Sequence, residues 1–149
     1  MPIALLAVTL AALLVGCGAP SDDGSQVPSS SAPVLREATI DGAAWRLLLA
    51  GPDGMRGRQD FGGADGMLFD LGEATDPSVI AFVMDRVPIP LAIAWFAPDG
   101  SFVGRAEMVP CPAEPCERYA SPAPFRWAVE APSGAFDALP PAARLEIAP

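Results

Sequence analysis

The chain is 149 residues long, room for one domain, and sets 18 Asp and Glu against 9 basic side chains for a formal net charge of −9. That balance lacks the basic footprint of phosphate binding, so no nucleic-acid partner is expected. With no His, and with Arg as the only basic residue, Ser-His-Asp and Cys-His pairs, His-containing zinc sites, Schiff-base lysines and P-loop lysines are all excluded. What remains is carboxylate chemistry, cysteine chemistry or no catalysis.

Residues 1–16, MPIALLAVTLAALLVG, form an apolar run shorter than the roughly 20 residues that span a bilayer as a helix. The run reads as a signal-peptide core. Leu14-Val15-Gly16-Cys17 then resembles the bacterial lipobox, whose cysteine receives a diacylglyceryl group before cleavage. No Arg or Lys precedes the run, which departs from the usual leader, and the alternative is a free Cys closing an apolar helix. Lipidation at Cys17 makes the membrane the first expected partner, since two or more acyl chains anchor stably. Residues 17–34 are rich in Ser, Pro, Gly and Asp and are expected to be a disordered tether. Residues 35–149 are left as a single β domain, held outside the cytoplasm in an oxidising compartment.

Along that domain the pattern has mostly period two, interrupted by Pro-Asp-Gly turns at 52–54 and 98–100. Trp45, Leu47 and Leu49 share one face of an early strand. GMLFDL at 66–71 and VIAFVM at 79–84 read as further strands, the second nearly all apolar. The span 89–109 sets two β-rich runs around the second turn and predicts a hairpin. FRWAVE at 125–130 alternates, SGAFDALP at 133–140 has room for one or two helical turns, and ARLEI at 143–147 reads as a last strand. The expectation is a mainly β fold, a compact antiparallel barrel-like domain with one or two short helices.

One set of residues in this order and spacing is not generic: Gly54-Met55-x-x-Arg58-x-x-Phe61, Gly66-Met67-Leu68-Phe69, Phe82-x-Met84, Ile89-Pro90-Leu91-x-Ile93, Met108-x-Pro110-Cys111 with Cys116 and Tyr119, then Trp127-Ala128-Val129-Glu130. It resembles domain-of-unknown-function family 192, small bacterial and archaeal domains that are often exported. The resemblance covers about residues 43–147 and implies a small β-barrel-like fold with minor helix and no established activity. Where that family reads Phe-Trp-Met-Lys-Asn-Thr, this chain has Phe82-Val83-Met84-Asp85-Arg86-Val87, and Ala92 replaces the family's Asp. The apolar frame stays while the polar groups change, and Asp85 reverses a charge.

Cys111 and Cys116 leave three readings open. A disulfide suits export, the even count left after lipidation and a short loop turned by Pro112 and Pro115. A metal clip lacks further soft ligands, and a redox pair lacks the usual C-x-x-C spacing and faces Glu114 and Glu117. The staple is the reading the residues favour, so no metal and no cofactor is expected. The acidic residues between 53 and 85 fit a solvated face, with no calcium-loop signature among them.

No residue is assigned a catalytic role. Arg58, Met84, Asp85, Arg86 and Tyr119 are the candidate ligand-binding residues: Arg58 matches the family's Arg and is suited to an anion or a carboxylate partner, Asp85-Arg86 occupy the altered run, Met84 packs at its rim, and Tyr119 sits beside the cysteine loop. The functional expectation is a lipid-anchored extracytoplasmic binding or accessory module of the cell envelope, whose partner is a small molecule or an envelope protein. The alternatives are a small hydrolase or lyase using Asp and Arg groups near Arg58 and Asp85, and a structural envelope protein.

Overall fold

The computed structural model describes residues 32–149. The expected signal peptide, Cys17 and the tether up to residue 31 lie outside the described residues. Seven strands follow: β1 (Leu35–Ile40), β2 (Ala43–Leu49), β3 (Gly66–Thr75), β4 (Leu91–Phe96), β5 (Phe102–Met108), β6 (Phe125–Pro132) and β7 (Leu145–Ile147). They hydrogen-bond into one sheet in the order β5-β4-β6-β3-β2-β1-β7.

The turns follow from local chemistry. Asp41 and Gly42 both adopt left-handed backbone (φ 51° and 78°), the twist that a two-residue hairpin needs between β1 and β2. In the β4–β5 hairpin the Gly100 amide donates to the Ala97 carbonyl at 2.8 Å, while the Asp99 carboxylate accepts from the Ser101 amide and hydroxyl. Val34 already belongs to the sheet, its carbonyl accepting from the Leu49 amide at 2.7 Å.

β4 is buried along its whole length, and its period-two alternation divides the core. Leu91, Ile93 and Trp95 enter one apolar cluster with Met55, Met67, Met84 and Phe125. Ala92, Ala94 and Phe96 enter a second cluster with Leu47, Leu68 and Phe136 on the opposite face. Trp45 and Leu49 pack against that second cluster with Leu47, as the alternation of β2 requires.

Four details differ from the sequence expectation. The sheet does not close into a barrel: its end strands meet only at the Ser101–Arg144 bridge, where the Leu145 amide donates to the Gly100 carbonyl at 2.8 Å. It is not wholly antiparallel either, because β2 and β3 pair in parallel, with Leu47 beside Gly66. The long connection 50–65 allows this, returning the chain to the end of the sheet from which β2 started.

No helix forms among the described residues. Positions 133–140 make successive tight turns, with Ala135, Asp137 and Leu139 amides donating to carbonyls three residues back. Gly134 (φ 80°) and the Pro140-Pro141 pair interrupt any longer helix, and Phe136 is drawn into the core, stacked on Trp45 at 5.6 Å. The expected strand at 79–84 reduces to a single bridge between Phe82 and Tyr119, because prolines at 77 and 88 remove ladder donors on either side.

Cys111 and Cys116 are paired, with Cα atoms 5.4 Å apart, inside the span a disulfide accepts. The loop they close is short, so the cross-link is worth about 2 kcal/mol through restriction of the unfolded chain. Replacing both by Ser is expected to lower the unfolding free energy by about that amount in denaturant titration. An unchanged midpoint would contradict a stapling role.

Candidate functional site

Three segments that leave the sheet are knitted together over one face. The Gly57 amide donates to the Arg86 carbonyl at 2.8 Å, the Phe82 and Tyr119 main chains exchange a pair of 2.8 Å bonds, and the Cys111 amide reaches the Met84 carbonyl at 3.4 Å. Residues 51–58, 81–87 and 109–119 therefore form a continuous cover over the cluster of Met55, Met67 and Met84. Between this cover and the sheet lies a pocket of about 210 Å³.

Its walls are Pro52, Gly54, Met55, Phe69, Ala81, Phe82, Val83 and Val87, and its ionisable groups are Asp53, Arg56 and Glu130. Gly54 is required where it stands: its φ is 52°, and a Cβ there would lie 3.3 Å from the Phe69 ring. Phe69 and Phe82 meet edge to face at 5.2 Å, and Phe82 leans on Phe125 at 6.3 Å. The aromatic wall is thus fixed from below by the core.

Glu130 is the unusual group. It lies on β6 between Met67 of β3 and Ile93 of β4, its cross-strand partners, and only 6% of its surface is exposed. Its Oε2 is buried with no hydrogen-bond partner. Burial pushes its carboxyl up to about 7, because the apolar neighbours offer the charged form no solvation. Trp95 Nε1 is likewise buried and unpartnered, but Trp95 does not line the pocket.

At the other side of the pocket, Arg56 pairs with Asp85 at 3.4 Å, and Arg86 reaches the same Asp85 oxygen at 3.4 Å. Arg86 holds a left-handed backbone (φ 54°), rare for a side chain of its size. The Arg56 guanidinium is therefore already committed to a carboxylate.

The sequence candidates separate in space. Asp85 and Arg86 stand beside the pocket through their link to Arg56, and Met84 is buried beneath it, 2% exposed. Tyr119 is buried beside the cysteine loop, its hydroxyl accepting from the Val109 amide and donating to Glu117 at 3.0 Å. Burial pushes that hydroxyl up from its ordinary value of 10.0. Arg58 faces another way, its Nε donating to the Asp60 carbonyl at 3.4 Å, so Arg56 and not Arg58 is the arginine of the pocket.

Glu130 was within reach of sequence reasoning. In FRWAVE it falls two residues after Ala128, in phase with a buried face, where a carboxyl is out of place. A larger hollow of about 540 Å³ at Trp45, Asp65 and Pro132 has no comparable group, because Asp65 accepts from the Arg46 amide at 2.8 Å.

The family model DUF192, described as an uncharacterized ACR, matches residues 50–146. Two solved structures are similar at TM-score 0.63. One is a proposed transcription regulator from Sinorhizobium meliloti 1021, 23% identical over 77% of this chain and 95% of that one. The other is a protein of unknown function from Novosphingobium aromaticivorans DSM 12444, 21% identical over 78% of this chain and 94% of that one. At this identity the likeness is one of fold. No curated protein matches the sequence.

The raised Glu130 carboxyl fixes the sign of a pH dependence. Between 4.5 and about 7 the folded protein keeps a proton that the unfolded chain has released, so stability falls as pH rises through that window and levels off above it. The interval corresponds to roughly 3 kcal/mol. Asp76 and Asp99, each held below 3.8 by side-chain and backbone bonds from the serine two residues on, act only in stronger acid. Denaturant titrations from pH 5 to 8 should show the decline in the native protein and a flat profile in Glu130→Gln; an equal decline in both would contradict the assignment.

Proposed function

The chain belongs to the DUF192 family, and we propose that it serves as a ligand-binding or accessory module of the cell envelope, anchored outside the cytoplasm through a lipid on Cys17. The observation that carries the binding part is the pocket itself. A buried carboxyl without a partner costs folding free energy on the order of 1–3 kcal/mol, and nothing in the fold is repaid by it unless a ligand supplies the missing donor. The apolar run, the lipobox at 14–17 and the paired Cys111 and Cys116 support the anchored, oxidising location.

A hydrolase or lyase is the second reading, favoured by one observation: a carboxyl poised near neutral pH in a pocket is suited to proton transfer. No hydroxyl or thiol side chain lines that pocket, so Glu130 would have only Asp53 as a partner nucleophile. The regulator name of the Sinorhizobium protein is not carried over, because a net charge of −9 opposes DNA binding. A purely structural envelope role leaves the unpartnered carboxyl without a use.

Two variants of the full chain, expressed in a bacterium that lipidates exported proteins, separate place from act. Cys17→Ala is expected to leave the membrane fraction, and continued membrane association would overturn the anchor. Val83→Trp, which fills the pocket, should lose any small molecule that native mass spectrometry finds on the unaltered protein. Identical spectra for the two would overturn the pocket as the binding site.

A further inference from the structure

We propose that the Glu130 pocket takes a small primary ammonium carried on an apolar stem, the ammonium meeting the Glu130 carboxylate and the stem lying against Phe69 and Phe82. The inference rests on the binding reading above and adds the chemical class of the ligand. Four features of the pocket converge on it.

The missing partner is a donor. Glu130 lines the pocket, its carboxylate is an acceptor once ionised, and its cross-strand partners Met67 and Ile93 offer no donor; Oε2, buried and unpartnered, meets a ligand as the carboxylate turns toward the pocket. The charge around it is negative. The pocket's ionisable groups are Asp53, Arg56 and Glu130; Arg56 pairs with Asp85 through Nε, and Asp85 is shared with Arg86. An anionic ligand would compete with Asp85 for Arg56 and would face two carboxylates.

The walls suit a cation with a hydrocarbon body. Phe69 and Phe82 are both pocket-lining rings, and ring faces attract an ammonium within about 6 Å of the centroid. Met55, Val83 and Val87 provide apolar surface for a stem. The volume sets the size: about 210 Å³ lies below the roughly 300–1,000 Å³ of sites for drug-sized molecules. A short alkylammonium, or the end of a lysine side chain, is the matching chemistry.

A charge of this kind couples binding to the Glu130 proton. An ammonium binds the ionised carboxylate and so favours proton release, while an alkylammonium keeps its own charge across the neutral range. Affinity should therefore rise by about tenfold between pH 6 and pH 8 as Glu130 ionises near 7. The other charged groups facing this site are Asp53 and the Asp85-paired Arg56, and the cross-strand partners of Glu130 are Met67 and Ile93.

The test is methyl NMR of the full chain in detergent, labelled at methionine, with the pocket-lining Met55 as reporter and the buried Met108 as control for the fold. The probes are n-butylammonium, butyrate and n-butanol. Expected is a saturable Met55 shift with n-butylammonium alone, tightening about tenfold from pH 6 to 8 and weakened at least tenfold in Glu130→Gln. A Gly-Lys-Gly peptide that binds equally well points to a partner's lysine, and its exclusion points to a free amine; either supports the ammonium site.

Butyrate or n-butanol binding as tightly as n-butylammonium, or an affinity flat or falling with pH in the native protein, overturns the ammonium assignment while leaving a binding pocket in place. No Met55 shift with any probe overturns both readings. The probe comparison and the pH series use unaltered protein, so they decide the matter even if Glu130→Gln fails to fold.

Discussion

β6 lies between β4 and β3, and a strand enclosed on both sides must send its residues alternately into two apolar faces. Phase then decides everything about residue 130. Val129 and Ala131 join one cluster with Leu68 and Phe136, and Glu130 is turned the opposite way, among Met67 and Ile93. A one-residue slip of register would put the carboxyl on the other face, and the pairings on both sides of β6 forbid it. The cost of a buried carboxyl is thus imposed by the same hydrogen-bond ladder that makes the sheet.

The cover over that face explains how the cost is tolerated. Gly54 brings the 51–58 loop close to Phe69, Gly57 ties that loop to Arg86, Met84 anchors the 81–87 segment in the core, and the cysteine-paired loop ties 81–87 down through Cys111 and Tyr119. Water is held back from the sheet beneath Phe69 and Phe82, which is why the carboxyl titrates far above its ordinary range. The run in which this chain departs from its family, 82–87, is part of the cover. Asp85, where the family has Lys, engages Arg56 and Arg86 and so removes positive charge from the pocket's side. The change in sequence is a change in the charge beside the pocket.

Local features of the fold were readable because they rest on local chemistry. The Pro98-Asp99-Gly100 hairpin and the strand character of 66–71, 125–130 and 143–147, of which 145–147 pair, follow from turn residues and period-two alternation. The parallel pairing of β2 with β3 was not readable, since it depends on where a long loop returns and not on any residue in either strand. The apolar 79–84 segment misleads for a related reason: an apolar loop and an apolar strand have the same composition, and here only Met84 is buried while Val79 is 71% exposed, with prolines at 77 and 88 on either side. For the site, Asp85 and Arg86 were legible from their departure from a pattern, whereas the choice of Arg56 over Arg58 required the loop's conformation. Glu130 was written in the alternation of FRWAVE but acquires meaning only when both neighbouring strands are known.

Glu130 places a buried carboxyl, one oxygen of it unpartnered, in the wall of a pocket. Carbon-13 observation of the glutamate side-chain carboxyls, with Glu130 assigned by its loss in Glu130→Gln, reads this directly. A midpoint near 7 is expected in the free protein and a lower one when an alkylammonium is bound. A midpoint at the ordinary 4.5, unmoved by the amine, would contradict it.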